Sequence, residues 1–269
     1  MTAARHPGLR PSRPLVYGHR GCRRAPENTI ASFDLALQIG ADGLEMDVRL
    51  SRDGVPVVHH DVDLDRCTDG HGALEALTAA ELARLDAGHR FSAQGHPVFR
   101  GRGVTIPTLD EVLRRYPGVP LIVEIKVYRE AAARAVVRTV RAAGAEGHVC
   151  LAAFDHATVE AARRLAPEIA TSASRDEVFR AMCFAWLRLP PWRPRYGAVQ
   201  VPEVAGGRRV VAPRFIRSLH RAGIGLQVWT VNAEADMRRL LAWGVDGLIT
   251  DKPELAVRVR DQSRVSRQR

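Results

Sequence analysis

The residues best suited to chemistry occur in pairs two positions apart. Glu45 and Asp47 stand in Gly43-Leu44-Glu45-Met46-Asp47-Val48, and Glu124 and Lys126 stand in Ile122-Val123-Glu124-Ile125-Lys126. On an extended strand, residues two apart share a face, so each pair points one way. Three carboxylates converging from neighbouring strands would make an oxygen site for a hard divalent cation, Mg2+ or Ca2+. The bland alternative is a salt-bridged network. Two such pairs on consecutive strands favour the cation site.

Five further positions stand in the same kind of context. His19 and Arg20 end an apolar run, and His59-His60-Asp61 ends another. Histidine is suited to proton transfer near neutral pH, and arginine to holding a phosphate oxygen. Asp61 is a candidate for orienting a neighbouring imidazole. Pro26-Glu27-Asn28-Thr29 reads first as a helix start capped by Asn28 or Thr29, a role compatible with Asn28 reaching a substrate. Trp229, within Val228-Trp229-Thr230-Val231-Asn232, is either core or an apolar wall for a substrate. Only two of the 40 basic residues are lysines, Lys126 and Lys252. A compact ammonium kept in so arginine-rich a chain suggests that guanidinium would not serve there.

The elements that must position these residues alternate. Strand-like runs at Leu15–Tyr17, Gly43–Leu50, Leu121–Ile125, Val149–Ala153, Ile169–Ser172, Ala198–Val201, Leu226–Val231 and Gly247–Thr250 are separated by helical patterns. Several helices stop at a glycine suited to a left-handed cap: Gly40, Gly144, Gly223 and Gly244. Eight βα repeats fit a closed (β/α)8 TIM barrel of the α/β class better than an open doubly wound sheet. An internal echo supports repetition: Gly40-Ala41-Asp42-Gly43-Leu44-Glu45-Met46-Asp47 against Gly244-Val245-Asp246-Gly247-Leu248-Ile249-Thr250-Asp251. Where the later copy carries Ile249, the earlier carries Glu45. The expected domain is one barrel over residues 15–257. A hairpin strand, Val55–His60, follows the second barrel strand and leads into a small polar insertion over 61–105 that would cap the catalytic face. Residues 1–14 read as a flexible arm and 258–269 as a basic disordered tail.

The net charge of +10 lies mostly in those two ends, leaving +3 for residues 15–257. With no basic stripe interleaved with aromatics, nucleic-acid binding is not expected. Four widely spaced cysteines without a C-x-x-C pair read as reduced thiols. The sequence shows no signal peptide and no apolar run of membrane-spanning length. The expectation is a cytoplasmic protein without a transmembrane segment, peripheral lipid contact left open.

Taken in order, Gly18-His19-Arg20-Gly21, Ala25-Pro26-Glu27-Asn28-Thr29, Gly43-Leu44-Glu45-Met46-Asp47, His60-Asp61, Ile106-Pro107-Thr108-Leu109, Glu124-Ile125-Lys126, Val228-Trp229-Thr230-Val231-Asn232 and Gly247-Leu248-Ile249-Thr250-Asp251 resemble the glycerophosphodiester phosphodiesterase family, of the phospholipase-C-like phosphodiesterase barrels. The resemblance spans residues 15 to 256. It implies metal-dependent hydrolysis of a small-molecule glycerophosphodiester to sn-glycerol 3-phosphate and an alcohol. It further implies His19 and His60 as the general acid/base pair and Glu45, Asp47 and Glu124 as ligands of Mg2+ or Ca2+. Arg20 and Lys126 would bind the phosphate, with Asn28 and Trp229 contacting substrate. The chain departs from the familiar pattern in a shortened stretch between Gly21 and Pro26 that carries Arg23 and Arg24.

A related alternative is a lysophospholipase D-type enzyme acting on acylated lysophospholipids. Ala181–Leu187, followed by Leu189-Pro190-Pro191-Trp192, is apolar enough to meet a lipid tail. The plainer expectation buries this segment, with Trp186 and Trp192, against the barrel.

Overall fold

The computed structural model describes residues 8–92, 96 and 98–265. The strands are β1 (Leu15–His19), β2 (Gly43–Leu50), β3 (Pro56–Val58), β4 (Leu121–Ile125), β5 (Val149–Ala152), β6 (Ala170–Thr171), β7 (Ala198–Pro202), β8 (Val204–Ala205), β9 (Arg208–Arg209), β10 (Gly225–Trp229) and β11 (Gly247–Thr250). The helices are α1 (Ile30–Gln38), α2 (Ala79–Leu82), α3 (Leu109–Arg115), α4 (Glu130–Ala142), α5 (His156–Leu165), α6 (Arg175–Trp186), α7 (Pro213–Arg221), α8 (Glu234–Trp243) and α9 (Pro253–Val265).

Eight strands pair in parallel in the order β6-β5-β4-β2-β1-β11-β10-β7. A single bridge between Ser172 and Ala198 joins the two ends, so the sheet closes into the expected barrel. Apolar strand residues facing outward pack against the helices in two large clusters, around Leu44, Met46, Val123 and Val136 and around Val199, Leu226, Val228 and Leu248. Inside the barrel, Leu15, Tyr17, Ile122 and Ile249 pack together beneath Trp229. The four glycines expected to end helices all have positive φ, 101° at Gly40, 63° at Gly144, 77° at Gly223 and 90° at Gly244.

The internal echo has a structural counterpart. Asp42 and Asp246 each stand immediately before a barrel strand and each accept a backbone N–H from the neighbouring strand, Val16 and Leu226, at 2.8 Å. Each also returns its own N–H to that residue's carbonyl. The repeated Gly-x-Asp-Gly thus staples the entry of one strand to the next.

Three expectations change. Leu9 is buried in the barrel floor beside Cys150, Ala170 and Ala198, and Tyr17 Oη donates to the Gly8 carbonyl. The described part of 1–14 is therefore a plug and not a free arm; residues 1–7 lie outside the described residues. At the other end, α9 continues through residues 258–265, with Val259 fully buried and Arg260 paired with Asp42. The disordered tail assigned to 258–269 is thus helical as far as it is described, because Ala256 and Val259, about one turn apart, meet the barrel's outer core. Residues 266–269 lie outside the described residues. Finally, Trp186 and Trp192 are 70% and 72% exposed, not buried.

The hairpin strand β3 pairs antiparallel with β2. The segment after it forms a small core of its own from Leu64, Leu74, Leu82, Ala87 and Ile106; positions 93–95 and 97 of it lie outside the described residues.

Candidate active site

Strand register brings the paired residues together. β1 and β2 align His19 with Glu45, and β2 and β4 align Asp47 with Glu124. Inward parity then gathers carboxylate oxygens of Glu45, Asp47 and Glu124 within 4.8 Å of one another at the carboxyl ends of the strands. Lys126 Nζ stands 3.1 Å from Asp47 Oδ1 and 2.7 Å from Glu124 Oε1. Arg20 Nε is 3.0 Å from Asp47 Oδ2, its Nη1 donates to Glu27, and its backbone N–H donates to Glu45 Oε2.

Such crowding shifts the acids. Burial first, and the neighbouring Asp47 next, push the Glu45 carboxyl well above its ordinary value. Burial also raises Glu124, outweighing Lys126. At Asp47 burial is overcome by Lys126 and then Arg20, which hold it below the usual range. Lys126 is itself disfavoured by burial, yet Asp47 and Glu124 more than compensate and raise it. The donor set fits a hard cation: all ligand atoms are oxygens, and Glu124 Oε1 is buried without an aligned hydrogen bond. A cation there would relieve the repulsion that raises Glu45.

Both histidines are anchored by carboxylates at the same ring nitrogen. His19 Nδ1 lies 2.6 Å from Asp251 Oδ1, and His60 Nδ1 lies 2.6 Å from Asp61 Oδ1. Burial lowers His19, but the Asp251 hydrogen bond and Glu45 outweigh it and leave the imidazole above its ordinary value. Asp251 is steadied in turn by Asn232, whose amide donates to Oδ2 at 2.6 Å. His59 turns away instead, with Nε2 3.2 Å from the Asp63 carbonyl. Arg66, from the insertion, bonds Asp61 and both oxygens of Glu27. Glu27 thereby links Arg20 to the insertion.

The turn after β1 sets Arg20. Arg20 (φ 52°), Gly21 (φ 94°) and Asn28 (φ 57°) are all left-handed, a conformation glycine and asparagine accept most readily. A Cβ on Gly21 would lie 2.2 Å from Ser32 Oγ. That hydroxyl receives the Cys22 N–H and has the Arg20 and Cys22 carbonyls as alternative acceptors for its one hydrogen, tying the turn to α1. Thr29, not Asn28, caps α1. Asn28 is buried with both ends of its amide engaged by Asp47, which places it beneath the carboxylates.

A cavity of about 800 Å³ opens over these groups. Its polar floor holds His19, Arg20, His60, Lys126 and the three carboxylates, and Trp229 stands at its wall, edge-on to Phe154. Sequence reasoning gave no role to Asp251, Asn232 or Ser32. The echo did hold a signal for Asp251, which occupies the position equivalent to Asp47.

A parallel eight-stranded barrel with an acidic cluster, two carboxylate-anchored histidines and two cations at the carboxyl ends of its strands is the architecture of a phosphoric diester hydrolase. The model of the glycerophosphoryl diester phosphodiesterase family matches residues 19–255, and the chain belongs to that family. It is 30% identical to a glycerophosphodiester phosphodiesterase of Caldanaerobacter subterraneus, over 90% of this chain and 96% of the relative. A Bacillus altitudinis glycerophosphodiester phosphodiesterase is 31% identical over 92% and 98%. Among solved structures, a glycerophosphodiester phosphodiesterase of Agrobacterium tumefaciens superposes with a TM-score of 0.74 at 29% identity, covering 92% of this chain and 99% of that one. An Oleispira antarctica phosphodiesterase in complex with the product sn-glycerol-3-phosphate gives 0.72 at 29% identity, covering 92% and 97%.

Proposed function

We propose that the chain hydrolyses glycerophosphodiesters to sn-glycerol 3-phosphate and an alcohol, with a divalent cation, Mg2+ or Ca2+, and with His19 and His60 as general acid and base. One observation carries the reading: two imidazoles, each tied at Nδ1 to a carboxylate, line one cavity with the Glu45, Asp47 and Glu124 cluster. The product bound in the Oleispira relative supports the glycerol phosphate half of the substrate.

With Nδ1–H held by Asp251 or Asp61, each ring keeps Nε2 for the cavity. One imidazole takes the proton from the nucleophile, a water or the substrate's own 2-hydroxyl whose cyclic phosphate water then opens, and the other gives a proton to the departing alkoxide. The carboxylate behind each ring steadies the imidazolium that forms. Arg20 and Lys126 neutralise charge on the phosphoryl oxygens. A cation held by Glu45, Asp47 and Glu124 would supply Lewis-acid polarisation of a phosphoryl oxygen. Asn28 acts through Asp47 as a positioning residue, and Trp229 offers the substrate an apolar wall. The four cysteines are all free, in keeping with a cytoplasmic setting. Among the described residues no helix is long and apolar enough to cross a membrane.

The test is release of glycerol 3-phosphate from glycerophosphocholine by chelator-stripped protein, with Mg2+ or Ca2+ restored separately. Metal-restored turnover that disappears in Glu45→Ala is expected. Silence with both ions on several glycerophosphodiesters would remove the proposal.

A second reading, a lysophospholipase D-type reaction on acylated substrates, is favoured by the cavity's far wall. Phe154, Val178, Phe179, Met182 and Val201 give it an apolar side that a glycerophosphodiester does not need. Faster turnover of lysophosphatidylcholine than of glycerophosphocholine would make it the main activity.

A further inference from the structure

We propose that the outer face of α6, with the segment that follows it, is a docking surface for an anionic phospholipid bilayer. The inner face of this helix packs on the barrel through Glu177, Ala181 and Ala185. The outer face carries Phe179 and Trp186, two turns apart and 68% and 70% exposed, while Met182 at its edge is partly buried against the barrel. Leu187, Leu189 and Trp192 extend the surface beyond the helix, all at least half exposed. An apolar area of this kind on a folded chain marks a contact surface.

Charge selects the occupant. Residues 178–197 contain Arg180, Arg188, Arg193 and Arg195 and no acidic residue. Arg195 is paired with Glu160, and the Arg193 guanidinium lies 5.4 Å above the Trp192 ring, which still faces solvent. Exposed indoles on an arginine-bearing segment suit the headgroup layer, where the ring sits at the polar boundary and the guanidinium meets lipid phosphate. A second copy of this chain fits poorly. A twofold contact would set the same arginines against each other without intervening carboxylates from this segment.

The surface also meets the catalytic cavity. Phe179 belongs at once to the outer stripe of α6 and to the cavity wall, where the partly buried Met182 stands beside it. A bilayer lying along α6 would therefore adjoin the cavity, and a lipid headgroup would have a short path to it. The docking itself does not depend on the reaction proposed above, and binding is measured without turnover.

The experiment is co-sedimentation of the full chain with vesicles of equal parts phosphatidylcholine and phosphatidylglycerol, and with vesicles of phosphatidylcholine alone. Binding to the anionic vesicles, weakening as salt is raised, is expected. Trp186→Ser combined with Trp192→Ser should lower the partition coefficient about tenfold or more. Arg188→Glu combined with Arg193→Glu should lower it at low salt. Circular dichroism and Tm should be unchanged in both double variants, since all four side chains are exposed. Absence of anionic-vesicle binding would overturn the proposal, as would equal binding by wild type and both variants. A wild-type dimer that the tryptophan variant converts to monomer in sedimentation velocity would overturn it too, by giving the face to self-association.

Discussion

Asp251 Oδ1 lies 2.6 Å from His19 Nδ1 although 232 residues separate them in the chain. The contact follows from β11 and β1 running side by side, with Thr250 aligned to Gly18. Asp251 also takes the Asn232 amide on its other oxygen, and its backbone N–H donates to Asn232 Oδ1. Two side chains from two distant segments thus fix one ring nitrogen.

From this arrangement Asp251→Asn is expected to lower kcat by about 10²-fold. KM should hardly move, because the carboxylate sits behind the ring and away from substrate. Asn232→Ala should do the same more mildly. Unchanged kcat in Asp251→Asn, with Tm preserved, would show that His19 needs no orienting partner.

Metal binding can be read without turnover. In His60→Ala, Mg2+ or Ca2+ should raise Tm, with about 2.7 kcal/mol of added stability at a hundredfold excess over Kd. The same titration on Glu45→Gln or Asp47→Asn should give little shift. Equal stabilisation of all three variants would place the ion elsewhere.

Lys126 is the protein's own cation between Asp47 and Glu124. Its loss in Lys126→Ala should cut turnover by about 10²-fold or more. It should also lower the Tm of chelator-treated protein, because two buried carboxylates lose their counter-charge. Lys126→Arg should not restore activity, since a planar guanidinium cannot occupy the place of a compact ammonium. Full activity in Lys126→Arg would defeat this argument.

The barrel was legible because its signal repeats: eight apolar runs, glycine-ended helices and a Gly-x-Asp-Gly echo. The site was legible through strand parity, which by itself puts Glu45 with Asp47 and Glu124 with Lys126. Asp251 was not, because its partner is fixed by barrel closure and nothing local to either residue announces it. The tie of Asn28 to Asp47 is hidden in the sequence for a related reason. Locally it stands at a helix start, but its left-handed backbone turns the amide onto Asp47, on the adjacent strand. At the described part of the carboxyl end, arginines in 258–265 hide an apolar period that only packing on the barrel makes helical.

Away from the site, Arg163 and Glu177 form a buried pair joining α5 to α6, at 2.8 and 3.0 Å, with Arg163 also reaching the Ser172 carbonyl. Burial raises the Glu177 carboxyl, but Arg163 outweighs it and leaves a net depression. Glu177→Ala leaves the buried guanidinium only Glu160 as counter-charge and removes the contact of Glu177 with the Ser174 N–H at the start of α6, and should cost about 3 kcal/mol. A folded pKa below the unfolded one means the stabilisation is present above pH 4.5 and is lost as pH falls through the folded value. The Tm gap between wild type and Glu177→Ala should therefore shrink in acid. A gap that widens as pH falls would contradict the pairing.

The barrel floor makes the last prediction. A Cβ on Gly225 would lie 1.6 Å from the Leu9 carbonyl oxygen, so that strand residue and the plug exclude one another's bulk. Tyr17 Oη and the Gln227 amide reach the same segment from inside the barrel. A chain beginning at Leu15 should lose about 2–4 kcal/mol, from the exposed Leu9 contact area and the stranded Tyr17 hydroxyl. Gly225→Ala should destabilise the full chain through the clash. In the shortened chain the same substitution should cost much less, because the atom it strikes is gone. Urea unfolding of all four proteins gives the coupling directly. Additive losses would mean that residues 8–14 do not rest on Gly225, and that the floor closes without them.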